Sequence, residues 1–264
     1  LERRSGDEDK PRILDAFNQP CTDWLTFYCF TAFTDRDGKY QLGALAESAF
    51  DPLSRSCRFM LTEEAHHLFV GQKGIERVLR RAVQLGKKTT DGDVRALGGI
   101  NLETVQKYIN HWFSYSIDLF GSEISTNAAD FFAAGLKGRW KEASKYEEHG
   151  ALNQYTVVPQ VENGRIVDKE VPLRNAMNEL LRNEYIDDTY RVIKAWNRVL
   201  REEGSSFQVT LPHRRFFRRQ GIYKDHHFNL QGELITEEQW INNMHKWLPS
   251  EEDQAYVNSL MKPV

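Results

Sequence analysis

No run of apolar residues in this sequence is long enough to cross a bilayer, and no signal-peptide pattern opens it, so a cytoplasmic protein with no membrane partner is expected. Cysteine is scarce. Cys21, Cys29 and Cys57 are an odd number, each in or beside apolar helical sequence, which excludes a disulfide framework and predicts reduced thiols in the core. Charge of one sign is not in excess: 35 Lys and Arg against 38 Asp and Glu give a net charge of -3, without the basic footprint of a nucleic-acid-binding protein. Internal repeats and low-complexity tracts are also absent. What the 264 residues do contain is core material, with 12% aromatic side chains.

The periodicity predicts a mainly α protein. Helices are expected near residues 22–49, 52–85, 102–120 and 123–138, with breaks at Pro52, from Gly86 to Gly99 and at Gly121. Asp51-Pro52 reads as an N-cap followed by proline at the first helical position. Beyond Gly150 the character changes. Tyr155–Val161 and Arg165–Val171 flank Asn163-Gly164, a hairpin signal, and Pro172 opens a helix to about Glu203. Phe207–Leu211 and Phe228–Ile235 read as short strands, Thr236 to Gln239 as a capping box, and helices follow to Leu248 and over Ser250–Met261. The expected organisation is a helical region over 1–150 and a hairpin-plus-helix region over 151–264.

Within the second helix, Glu63-Glu64-Ala65-His66-His67 offers Glu-x-x-His in two overlapping registers. Residues three apart stand on one helix face, so a carboxylate and an imidazole at that spacing can reach one ion. Leu53, Cys57, Met60, Leu61, Glu64, His67, Leu68 and Gly71 form one stripe, which turns Glu64 and His67 inward and leaves Glu63 and His66 towards solvent. A carboxylate on an apolar stripe is costly unless it is paired, hydrogen-bonded or bound to metal. A metal-free Glu–His pair in the core is the other reading of the same residues.

Asp35 repeats the anomaly one helix earlier, on the face shared by Leu25, Tyr28, Ala32 and Leu42; Asp37 lies off it. Here the alternative is a polar break before Gly38 with either aspartate as a local cap. If the two helices pair in antiparallel fashion, Asp35 and Glu64 face each other. A carboxylate from one helix and Glu-x-x-His from the next is half of the di-iron site of a ferritin-like bundle. No second Glu-x-x-His is present; Glu184-x-x-Asp187 lacks the imidazole. Carboxylate and imidazole suit iron, manganese and zinc alike.

Two further groups have chemical potential. Arg214, Arg215, Arg218 and Arg219 surround Phe216-Phe217, a composition suited to phosphates or to a solvated basic face. His213, His226 and His227 are a conceivable second metal set, but no carboxylate or cysteine stands at ligand spacing, so surface histidines are expected.

Several stretches together carry a resemblance: the opening Leu1-Glu2-Arg3-Arg4-Ser5-Gly6-Asp7-Glu8-Asp9, Thr34 to Lys39, Leu45 to Leu53 and Phe59 to Gly71, then Gly135 to Arg139, Thr210 to His213, Lys246 to Pro249 and Ser259 to Met261. The chain resembles the oxygenase component of benzoyl-CoA 2,3-epoxidase along nearly its whole length, as its C-terminal part. The resemblance implies a ferritin-like bundle portion and a non-haem di-iron monooxygenase in aerobic benzoate breakdown. It implies benzoyl-CoA as substrate, O2 as oxidant, and electrons from NADPH through a separate reductase component. In that family an aspartate is followed, 29 positions later, by Glu-x-x-His, a spacing met by Asp35, Glu64 and His67. The other three ligands belong to helices preceding the equivalent of Leu1, so the sequence reads as a fragment expected to be inactive alone. The rival classes are a metal-free helical interaction or storage protein, and a di-metal site completed by a second chain.

Overall fold

The computed structural model describes residues 14–138 and 154–261. Asp23 starts the first helix, its carboxylate accepting from the Thr26 amide at 2.7 Å and the Thr26 hydroxyl at 2.8 Å. From there α1 (Trp24–Cys29), a π turn (Phe30–Thr34) and α2 (Asp35–Leu45) form one continuous helical rod. The rod runs through Gly38 as the expected helix does, and the alternative of a polar break there does not occur. It ends at Leu45 rather than residue 49.

Proline near its start launches α3 (Asp51–Gly86), as expected, although Phe50 rather than Asp51 is the capping residue. α3 packs unevenly. Gly71, Gly74, Ile75, Leu79, Ala82 and Val83 are buried, whereas no residue from Arg58 to Val70 is. The inward stripe expected through Met60 and His67 is therefore only partly realised: Met60 and His67 are exposed, as are Phe59 and Phe69, because among the described residues α2 lies over only the Glu64 side of that stretch.

The core centres on α4 (Leu102–Ile117), whose Val105, Tyr108, Ile109, Trp112, Phe113 and Ile117 recur at helical spacing and are all buried. α1, the π turn, α3 and α6 (Met177–Glu202) pack around it through Leu25, Phe33, Leu79, Tyr185 and Trp196. Burying rings of this size contributes roughly 2–3 kcal/mol each before entropy is counted. The same core takes in Val209, Leu211 and Val257. The boundary expected near residue 150 lies outside the described residues.

α5 is shorter than expected, Thr126–Ala133, and starts at the Ser125 cap. The predicted hairpin forms as β1 (Tyr155–Glu162) against β2 (Arg165–Pro172), with Asn163 and Gly164 both at positive φ, the requirement of a tight hairpin turn. Residues 207–211 do not form a strand. Their backbone is satisfied by amide side chains instead: Asn197 bonds both ways to Val209 at 2.9 Å, and Gln106 both ways to Thr210 at 2.8 Å. These two residues do the work of a neighbouring strand. Residues 228–235 shrink to a two-rung hairpin, β3 (His227–Phe228) and β4 (Leu234–Ile235). α7 (Glu237–Trp247) and α8 (Glu251–Ser259) each begin in a capping box. The cysteines are free; Cys29 and Cys57 are buried, but Cys21 is exposed rather than in the core. No helix of the described residues is long and apolar enough to cross a membrane.

Replacing Asn197 with Ala removes both bonds to Val209 and leaves its buried backbone groups unmatched. The loss should be about 1–3 kcal/mol, read as a lower urea midpoint at unchanged slope.

Candidate metal centre

Asp35 is the first residue of α2, and its own amide makes the wide π-turn bond to the Phe30 carbonyl. Glu64 and His67 lie one turn apart on α3, across the antiparallel seam. The structure brings all three together, with one ligand atom from each within 4.8 Å of the others. Among the described residues no other group of three or more His, Cys, Asp or Glu side chains converges in this way. The carboxylates are 18% and 17% exposed and the imidazole 48%, so the cluster is closed towards α2 and open on its His67 side.

His67 Nδ1 stands 3.6 Å from Asp35 Oδ2 and 3.9 Å from Glu64 Oε2, too far for hydrogen bonds. Glu64 Oε2 is buried without any hydrogen-bond partner. Burial pushes the Asp35 carboxyl up to about 7, with Glu64 raising it further and His67 pulling it back; burial also raises Glu64. An uncompensated pair of acids of this kind suits a cation. Glu63 and His66 are exposed, as the stripe required.

One neighbour was missed by periodicity. Asp37, off the predicted stripe, is buried behind the cluster, and burial lifts its carboxyl to about 8. Gln41 donates to it at 3.4 Å, and Lys137 donates to Gln41 at 2.7 Å. The Asp37/Gln41 spacing of four was the available signal. Next to it, Arg36 reaches Asp188 at 2.6 Å and ties α2 to α6.

The arginine group is neither a phosphate site nor a solvated face. Arg218 is buried against Asp118 and Glu123, Arg214 pairs with Glu179, and the Arg219 amide donates to Asp118. Arg182 joins them, bonded to Glu179, Glu123 and the Ile117 carbonyl. Arg215 is the exception, lying near the Tyr223 ring and the Gly232 carbonyl. The three histidines are separate from any ligand group: His213 accepts from the Arg215 amide, His227 stacks on Trp240, and His226 packs edge-on to Phe228. Glu184 and Asp187 do not join the cluster, and Asp187 is exposed.

Fold and site define a mainly α-helical protein with a half-open carboxylate–imidazole cluster held between two antiparallel helices. No family model matches the chain. It is 49% identical over 264 residues, 99% of its length, to benzoyl-CoA oxygenase component B of Aromatoleum evansii, and it spans 56% of that protein. The chain is thus a relative of that oxygenase component, and the resemblance carried by its motifs holds along its length.

Because the folded carboxyl of Asp35 binds its proton more tightly than the ordinary value of 3.8, the folded protein keeps a proton that the unfolded chain releases between about pH 4 and 7. Its contribution therefore turns unfavourable as pH rises through that window. Asp35→Asn should stabilise the chelator-treated protein at pH 8 relative to wild type by on the order of 1 kcal/mol, and have a smaller effect at pH 5. Urea unfolding at the two pH values checks this; a benefit larger at pH 5 contradicts it.

Proposed function

We propose that this chain is part of an oxygenase component acting on benzoyl-CoA, and that Asp35, Glu64 and His67 supply half of the ligands of a ferritin-like di-iron centre. The observation that carries this reading is the convergence of the three side chains, with Glu64 Oε2 buried and unpartnered. A self-contained Glu–His pair would satisfy that oxygen, and the 3.9 Å gap to His67 does not. The kinship with benzoyl-CoA oxygenase component B supplies the substrate class.

When bound, the di-iron unit supplies oxygen activation: one atom of O2 adds across the ring of the aromatic thioester and the other leaves as water, with electrons from NADPH through a separate reductase component. The chain's residues have simpler tasks. Asp35 and Glu64 offer hard anionic oxygens, and His67 an imidazole nitrogen. Asp37, kept protonated near neutrality by burial, places no further negative charge beside Glu64. The packed α2 side excludes water, while the open side of His67 and the exposed Phe59, Met60 and Phe69 face outward. The remaining ligands would come from the part of the longer protein that has no counterpart here.

In the full-length protein, Glu64→Ala and His67→Ala should each abolish oxygen-dependent, NADPH-linked turnover of benzoyl-CoA and lose iron, while the circular dichroism spectrum is retained. Glu63→Ala and His66→Ala should keep both iron and turnover. Loss of iron in the second pair but not the first would assign the wrong register. For the 264-residue chain alone, elemental analysis should find well under two irons per monomer, since three side chains leave a dinuclear site half built. Two irons in a monomer would sink the half-site reading.

A further inference from the structure

We infer that Gly71 is a positioning residue for the Asp35–Glu64–His67 cluster: its missing side chain sets the separation of α2 and α3 at which the three ligand groups meet. In its consequence for metal this rests on the function proposed above, but the distances involved do not.

The seam between the two helical rods has a strict antiparallel register. Tyr28 faces Gly74, Thr31 faces Gly71, Asp35 faces His67 and Gly38 faces Glu64, and the residue numbers of every pair add to the same total. Gly71 therefore sits one turn from His67, opposite the π turn that ends at Asp35. A Cβ added there would stand 2.5 Å from the Ala32 amide nitrogen and 2.9 Å from the Thr31 carbonyl carbon. These are backbone atoms, and they cannot retreat. The Ala32 carbonyl is held by Arg36 Nε at 3.1 Å, and the Phe33 carbonyl by the Tyr185 hydroxyl of α6 at 3.2 Å. Restoring a contact of about 3.5–4.0 Å would open the seam by roughly 1 Å, more than the ~0.5 Å within which a binding constellation must be held.

Gly74 provides the contrast. The three atoms nearest an added Cβ there all belong to the Tyr28 ring, a part-buried side chain stacked on the exposed Trp24, and none of them is backbone. Closeness at Gly71 is thus a backbone constraint next to the ligands, and closeness at Gly74 is not.

The test uses the full-length protein with Co(II) as probe, its affinity followed by the visible absorption of the bound ion. Gly71→Ala should bind Co(II) roughly 10–100-fold more weakly while retaining its helical content, and Gly74→Ala should bind as wild type does. The double variant Gly71→Ala with Asp35→Glu should regain affinity, because the extra methylene spans the widened seam; a generic packing defect would not be rescued in this way. Wild-type affinity in Gly71→Ala, or an equal loss in Gly74→Ala, overturns the inference. Should Gly71→Ala fail to fold, Asp35→Glu in the native background decides: a tight seam makes the longer acid at least about tenfold worse, and unchanged binding overturns the inference. If the wild-type cluster takes no Co(II), the functional reading fails. The positioning role is then judged from crystal structures, where the Asp35–His67 separation of 3.6 Å should widen in Gly71→Ala only; an unchanged separation refutes it.

Discussion

The close backbone approach of the α1–α2 rod to α3 is the constraint on which the rest of this structure depends. One glycine of α3, Gly71, lets the two backbones approach where any side chain would hold them apart, and the π turn opposite it ends on the amide of Asp35. A π turn leaves the helical backbone locally mismatched, a cost that persists when neighbours satisfy the freed groups. Here Arg36 and Tyr185 do so, and Tyr185 belongs to the aromatic core with Phe113 and Phe120. Packing of the core and geometry of the cluster are therefore one problem. The helices cannot separate at the site without disturbing contacts that reach α4 and α6.

Buried charge is handled in two opposite ways. Around Arg182 and Arg218, every internal cation meets an internal carboxylate: Asp118, Glu123 and Glu179 pair with four arginines drawn from α6 and the 214–219 segment. Removing one member would strand its partner, typically a loss of 3–5 kcal/mol. Such a network ties the later part of the chain to the 118–123 turn, and its charges balance by ion pairing even where single atoms such as Glu123 Oε1 lack a hydrogen bond. At the α2–α3 seam the acids have no such counterpart. Asp35, Glu64 and Asp37 are all pushed towards their protonated forms by burial, and Glu64 Oε2 has no partner. The contrast is one of charge: the buried carboxylates of the network each face an arginine, whereas Asp35 and Glu64 face only the half-exposed His67, so that these two acids suit a cation.

Much was legible in the residues. Helical period placed α3 and α4 closely, Pro52 marked the start of α3 and Asn163-Gly164 the hairpin turn; the stripe singled out Glu64 and His67, which the fold brings beside Asp35 although His67 stays half-exposed. These succeed because they depend on local chemistry: proline's fixed φ, glycine's access to positive φ, and a repeat of 3.6 residues. What the local pattern missed was set by partners distant in sequence. The segment around Val209 has strand composition but no strand to pair with, since Asn197 and Gln106 occupy its backbone. The arginines at 214–219 looked like a surface because their acids are remote in sequence: Asp118 lies about a hundred residues before Arg218 and Arg219, and Glu179 lies 35 before Arg214. By itself, then, the sequence determined which face of each helix carries Asp35, Glu64 and His67, because side-chain period along a helix is a local property; the register that sets Asp35 opposite His67 and Glu64 opposite Gly38 is tertiary. The tertiary structure alone decided how near the two helices come, that Asp37 is buried, and that the cluster is open on its His67 side, because each depends on backbone contacts and burial between segments that no local spacing records.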